Sequence, residues 1–404
     1  MLFDFNLKSS FLLIFFINGL VFSGLLFEKG ILHKHRPSIW LACFTLLCVL
    51  YISPFMLGYA GWYSRYPYRE FLFYFPFQQL LLIPPVLYFY FKGLLDESFQ
   101  FQKKDVWHFV PALLYLIYTL IIWIADQWML NEVYFYADEK DKDFDFWYQL
   151  TGFLSLIIYL FLSLKNYKKH KLTMYDTYSY ADGLVLKWAQ GFLMAMFVLM
   201  ALRILFFIFN PEWGQFGKKF WYYMAFSGMF YYISIKGYFS SIRSLTKKVA
   251  SDFYEQTPAM ALSGTVEIQE EENSSTMASD DLEAWKLKIE KLMSEVHLYA
   301  DQELSTFHLA RTLDTHPKKI SQVINKAFGM NFNDYINQYR TKAFIGKIQN
   351  GEFAEKTLLG LAMECGFNSK STFNRSFKKQ TSMSPKVYLE HFLKKGVPNQ
   401  DLNP

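Results

Sequence analysis

Up to Phe239 the chain is a succession of long apolar stretches separated by short polar loops, and this pattern limits the folds open to it more than any other feature. Seven stretches can be placed, at 11–27, 38–59, 71–91, 106–125, 147–164, 188–209 and 220–239. Each has roughly 17–22 residues, enough at ~1.5 Å per residue to cross a hydrocarbon core about 30 Å thick. In such a core the backbone must satisfy its own hydrogen bonds, so each stretch is expected to be a helix. The first meets Glu28-Lys29 without a small-x-small cleavage site and is read as an uncleaved span rather than a signal peptide. Composition agrees. Of 404 residues, 52% are hydrophobic and 20% aromatic, and only 19% are charged, against about one quarter in soluble domains.

The polar residues between the stretches orient them. One set of alternate loops carries Lys29, Lys34 and Arg36, then Lys92, Lys103 and Lys104, then Lys165, Lys168, Lys169, Lys171 and Lys187; Arg243, Lys247 and Lys248 follow the last stretch. The other set holds only Lys8, Arg65, Arg69, Lys140, Lys142, Lys218 and Lys219. Positive residues collect on the cytoplasmic side, so the N-terminus is expected outside and the C-terminus inside.

Few polar residues sit within the stretches. Arg203 lies in the sixth, either facing the bundle interior as part of a sensing site or reaching toward the outer interface. Gln78 and Gln79 precede Pro84-Pro85 in the third, a pattern that suits either a kinked, polar-lined pocket or helix-to-helix hydrogen bonds. Arg203, Gln78 and Gln79 are thus the sensor candidates. The acidic, aromatic loop 126–146 reads as a solvated loop or a cation-attracting rim. His33-Lys34-His35 lacks a carboxylate or cysteine nearby and reads as a solvated basic loop. Cys43, Cys48 and Cys365 form neither a disulfide framework nor a metal motif, and are expected to be small core residues. With no phosphate loop, zinc-protease motif or nucleophile elbow, no catalytic residue, metal ligand or cofactor is expected, and no enzyme.

Beyond Phe239 the character changes. Residues 240–281 are polar and acidic, as in Glu270-Glu271-Glu272-Asn273-Ser274-Ser275, and read as a flexible cytoplasmic linker. A coil of roughly 40 residues reaches about 35 Å. Over 285–396, 18 Lys+Arg stand against 10 Asp+Glu, a net +8 that leaves −3 for the rest of a chain with net charge +5. A basic domain attached to an apolar one points to nucleic acid as its partner.

Ser279-Asp280-Asp281 is a plausible helix start. Leu282, Trp285, Ile289, Leu292 and Val296 then follow at helical spacing, as a short dimerising seam or as the first helix of the next domain. Two helix-turn-helix patterns come after. In the first, Phe307, Ala310 and Leu313 share a face, Asp314-Thr315-His316 turns the chain, and Pro317 suits a first helical turn. The next helix is expected to bury Ile320, Val323 and Ile324. It turns Lys318, Lys319, Ser321, Gln322, Asn325 and Lys326 outward, side chains able to bond base edges and phosphates. The second pattern buries Leu358, Leu361, Ala362 and Cys365, turns at Gly366-Phe367-Asn368-Ser369, and buries Phe373 and Phe377. It exposes Lys370, Ser371, Thr372, Asn374, Arg375, Lys378 and Lys379. Between the two, 333–349 reads as one helical rod about 25 Å long, able to hold two reading helices near the ~34 Å spacing of successive major grooves.

Residues 288–391 resemble the DNA-binding domain of the AraC/XylS family of bacterial transcription regulators. The likeness runs through Leu309-Ala310, Phe328-Gly329-Met330-Asn331-Phe332, Tyr335, Arg340, Ala343, Leu361-Ala362, Gly366-Phe367, Phe373, Arg375-Ser376-Phe377-Lys378 and Ser384-Pro385. It implies an all-helical domain with both recognition helices in the major groove. His316 stands where that family often has a capping Ser, and Ser382 where a Gly usually precedes the closing Ser/Thr-x-Pro. Gly346 raises the prospect of a bend in the rod.

The expected whole is all-α: a seven-helix transmembrane bundle, 1–239, sensing a signal; the linker, 240–281; the tandem helix-turn-helix domain, 282–396; and a tail, 397–404. It reads as a one-component regulator in a bacterial inner membrane, with double-stranded DNA and the lipid bilayer as partners. A second copy, RNA polymerase and an unknown signal ligand are further candidate partners. The alternatives are a transporter or membrane protein with a regulatory DNA-binding tail, and a regulator released by proteolysis of the linker.

Overall fold

The computed structural model describes residues 3–96, 99–130, 134, 145–184, 187–209, 219–255 and 279–394. Among them no β-strand forms; the chain is all-helical apart from one isolated bridge between Tyr178 and Ser305. It divides into two compact units: Met1–Lys168 with Lys187–Gly264, and Lys169–Leu186 with Thr265–Pro404.

The first unit is built on α1 (Leu7–Leu32), α2 (Arg36–Tyr59), α3 (Tyr68–Tyr74), α4 (Ile83–Leu95) and α5 (Val110–Ile124). It also contains most of α6 (Asp145–Thr177), and α8 (Lys187–Phe209) and α9 (Phe220–Glu255). Small residues let α1 approach its neighbours: Gly19 lies so close to α2 that a Cβ would clash with Val49 and press on Phe230. Close backbone packing of this kind stabilises apolar helices that gain little from the hydrophobic effect between them. Ser23 Oγ donates to the Ala42 carbonyl at 2.9 Å, and the Thr45 and Ser234 hydroxyls meet at 3.2 Å. The outside is apolar instead, with Leu113, Leu114, Ile117, Leu120 and Ile121 of α5 all exposed.

Among the described residues, four helical stretches are long and apolar enough to cross a membrane: Leu7–Leu32, Arg36–Tyr59, Lys103–Leu130 and Trp147–Thr177. Ile83–Leu95 and Ala189–Ile204 are shorter apolar helices. The third expected span, 71–91, is not one helix. It is broken between α3 and α4, where Pro76 and Pro84-Pro85 remove backbone donors. Side chains satisfy the freed groups: Tyr148 Oη donates to the Gln78 carbonyl at 2.5 Å and accepts from Leu80 N–H at 2.9 Å. The seventh stretch continues past Phe239, since α9 runs to Glu255. Most of the acidic outer loop, 256–278 of the linker and the tail lie outside the described residues.

The second unit contains the end of α6, α7 (Ala181–Leu184), α10 (Ser279–Ser294), α11 (Thr306–Thr312), α12 (Pro317–Phe328) and α13 (Phe332–Gln349). It closes with α14 (Leu358–Glu364), α15 (Lys370–Thr381) and α16 (Pro385–Lys394). Two cores form. Ile289, Met293, Leu304, Leu309, Ala310, Ile320, Val323, Ile324, Phe332, Tyr335 and Ile336 make the first. Phe344, Ile348, Leu361, Ala362, Cys365, Phe367, Phe373 and Phe377 make the second. The N-terminal half of α13 therefore belongs to one core and its C-terminal half to the other. α10 packs inward on the first core through Ile289 and Met293, with Leu282, Trp285 and Leu292 beside them. Val296 is an exception to the expected seam, lying past the end of α10 and exposed.

Candidate functional site

Each helix-turn-helix is shaped by its turn. In the first, Thr315 N–H bonds the Ala310 carbonyl at 2.8 Å, and Pro317 opens α12. The buried face of α11 keeps the expected Ala310 and Leu313 but takes Leu309 in place of Phe307. Leu309 and Ala310 point into the core, whereas Phe307 is half exposed, because α11 begins at Thr306 and its short run presents 309, 310 and 313 together. His316 caps α12 without a side-chain hydrogen bond. In the second unit, Thr357 Oγ1 accepts from Gly360 N–H at 3.1 Å and Ser369 Oγ from Thr372 N–H at 3.2 Å. Gly366 adopts φ +94° and abuts the backbone of Tyr299 and Ala300, with no room for a Cβ. Both demands select glycine there.

On α12 the core takes Ile320, Val323 and Ile324, all fully buried. Lys318, Gln322, Asn325 and Lys326 are exposed, and Lys319 and Ser321 half-buried. Lys319 is drawn toward α10: its Nζ lies 4.2 Å from the Trp285 ring centroid and 3.6 Å from Asp281. On α15, Lys370, Ser371, Asn374, Arg375, Lys378 and Lys379 are exposed. Thr372 corrects the expectation. It is buried, because its hydroxyl turns back 2.8 Å from Ser369 Oγ as part of the helix cap. Lys379 Nζ reaches Asp334 on α13 at 2.7 Å.

The rod between the two units is continuous. α13 has 18 residues, about 27 Å at 1.5 Å per residue, and passes Gly346 without interruption. Arg340, at its middle, is fully buried. Its guanidinium donates to the Tyr299 carbonyl at 2.7 Å, the Asp301 carbonyl at 2.6 Å and Ser179 Oγ at 3.0 Å. Burial pulls its pKa down to about 10, opposed by the charge of Asp301. The Cys365 thiol is pushed up to about 11, chiefly by burial, which suits an inert core residue.

The polar residues of the first unit meet in part. Arg203 Nη2 donates to Gln149 Oε1 at 2.7 Å, and Gln149 Nε2 to Gln78 Oε1 at 3.3 Å, so a short polar chain joins α8, α6 and the break before α4. Arg203 also lines a small cavity of about 60 Å³ with Tyr51, Pro84, Met196 and Tyr222. Gln79 is buried apart from them, donating to the Pro76 carbonyl at 2.5 Å. Sequence alone did not single out Gln149. Nor did it single out a larger cavity, about 550 Å³, lined by Glu70, Phe71, Tyr74, Leu116, Trp123 and Gln127 among others. Both depend on how separate helices are brought together.

Residues 309–391 match the model of a family described as "Helix-turn-helix domain". The match takes in α12, α13, α15 and most of α16. It supports an AraC-type DNA-binding part, and with it sequence-specific DNA binding and transcription regulation. No curated protein and no solved structure matches the chain significantly.

Proposed function

We propose that the protein is a membrane-bound, one-component transcription regulator that reads a bipartite DNA site with α12 and α15. One observation carries this reading: two helix-turn-helix units share one unbroken helix, each with a recognition helix whose outward face is lysine, arginine, asparagine and glutamine. Lysines suit phosphate, while Gln322, Asn325 and Asn374 suit adenine edges and Arg375 suits guanine. The basic charge of this region supplies the non-specific attraction to the duplex.

Two features of the first unit favour the bilayer: long apolar helices, and an apolar outside around an interior that holds Ser, Thr and Tyr. The lysine-rich loops favour a cytoplasmic position for the DNA-binding part. Arg203, with Gln149 and Gln78, is the candidate sensing element, because a cation among apolar helices is costly and such residues commonly mark a site.

Genome-wide DNA occupancy of the full-length protein tests the reading, with Lys326→Glu plus Lys378→Glu as control. Expected is a bipartite motif with half-sites about one helical turn apart, lost in the control. Absence of specific occupancy by the wild type and by a Tyr175→Phe plus Asp182→Asn variant alike sinks the proposal; occupancy by a truncated fragment alone favours release by proteolysis.

A further inference from the structure

The DNA-binding unit contains a piece of chain from far upstream. Residues 169–186, the segment between the apolar parts of α6 and α8, pack with it. The fit is polar and deep. Ser179 is fully buried; its carbonyl accepts from Asn333 Nδ2 at 2.7 Å, its Oγ from Arg340 Nη2 at 3.0 Å, and its N–H donates to the Leu304 carbonyl at 3.1 Å. Next to it, Tyr178 forms the antiparallel bridge with Ser305.

The same segment engages α15. The Asp182 carboxylate pairs with Arg375 of α15. Tyr175 Oη accepts from Arg375 Nη1 at 2.6 Å and donates to Asp182 at 2.6 Å, and the guanidinium lies 5.2 Å from the Tyr175 ring centroid. Asp182 has a side-chain exposure of only 10%, and a carboxylate so enclosed is tolerable only with a partner such as Arg375. A carboxylate set against a guanidinium occupies the donors that a phosphate or guanine edge would use.

We propose that the segment Tyr175–Asp182 is an internal inhibitor: it occupies Arg375 in place of DNA and must leave before α15 can enter its groove. This rests on the DNA-binding reading above. The segment is continuous with α6 at one end and runs into α8 at the other, the two helices joined by the Arg203–Gln149 hydrogen bond.

The test uses the full-length protein in lipid nanodiscs, with duplexes selected from a random-sequence library by wild type and by Tyr175→Phe plus Asp182→Asn. An inhibitor seated roughly nine-tenths of the time lowers apparent affinity about ten-fold, so the double variant should bind the selected duplex up to about ten-fold more tightly than wild type. A second variant, Tyr178→Cys with Ser305→Cys, uses the bridge, whose spacing suits a disulfide. Oxidised, it should lose binding; reduced, it should regain it. Equal affinity of wild type and double variant, or undiminished binding by the oxidised pair, overturns the inhibitor and leaves DNA binding standing. Failure of every form to select a duplex overturns the DNA-binding reading, and the inhibitor with it.

Discussion

Ser382 ends the second recognition helix with φ +60°, a left-handed conformation, and here the departure from the family pattern becomes a measurable cost. An L-residue with a side chain is disfavoured there by about 1 kcal/mol, whereas glycine adopts it freely but gives up more entropy on folding. Ser382→Gly is therefore expected to stabilise the end of α15 by about 0.5 kcal/mol, with the Ser382 N–H bond to Lys378 kept. Slower amide hydrogen exchange across α15 in the full chain would show it; faster exchange would contradict it. His316 is the companion case at a helix start, leaving without a side-chain bond the position that Ser369 fills in the second unit. Gly366 and Ser369 could be read from sequence because glycine and serine have local backbone reasons to be there. Thr372 could not, since its burial depends on which way its hydroxyl turns.

Among the elements, α13 holds the domain together. Its Phe332, Tyr335 and Ile336 serve one core, and Phe344 and Ile348 the other, so its register sets how the two reading helices face. Gly346 lies in this helix with open space where a Cβ would project. Gly346→Ala should then stabilise the helix by about 0.5–1 kcal/mol, measured as a higher denaturation midpoint without loss of DNA affinity. A loss of affinity at unchanged stability would mean that a bend at Gly346 is needed on DNA. The rod was legible from an unbroken helical pattern. The inward face of α11 was not, because a helix from Thr306 to Thr312 is too short for periodicity to choose between Phe307 and Leu309. The break in the third apolar stretch was foreshadowed by its prolines; its repair by Tyr148 was not.

At the scale of the whole molecule, charge is divided as the two proposed environments require: few ionic groups among the apolar helices and a net +8 over 285–396. Phosphate contacts release counterions, so the logarithm of affinity should fall linearly with the logarithm of salt, by about 0.9 per phosphate neutralised. Lys326→Glu and Lys378→Glu should each reduce that slope by about 1 and weaken all sequences alike, as titrations of the inhibitor-free double variant at several salt concentrations will reveal. A change confined to one base position would instead make the lysine a base reader.

Periodicity, helix-stop signals and charge act locally, and so the sequence by itself determined the all-helical class, the apolar and basic halves, the two helix-turn-helix units and most of their outward side chains. Tertiary structure alone decided the contacts between residues distant in the chain. Ser179 meets Asn333 and Arg340, Asp182 meets Arg375, and Arg203 meets Gln149. A buried polar group must find a partner wherever the fold brings one, and no pattern along the chain announces which residue that will be.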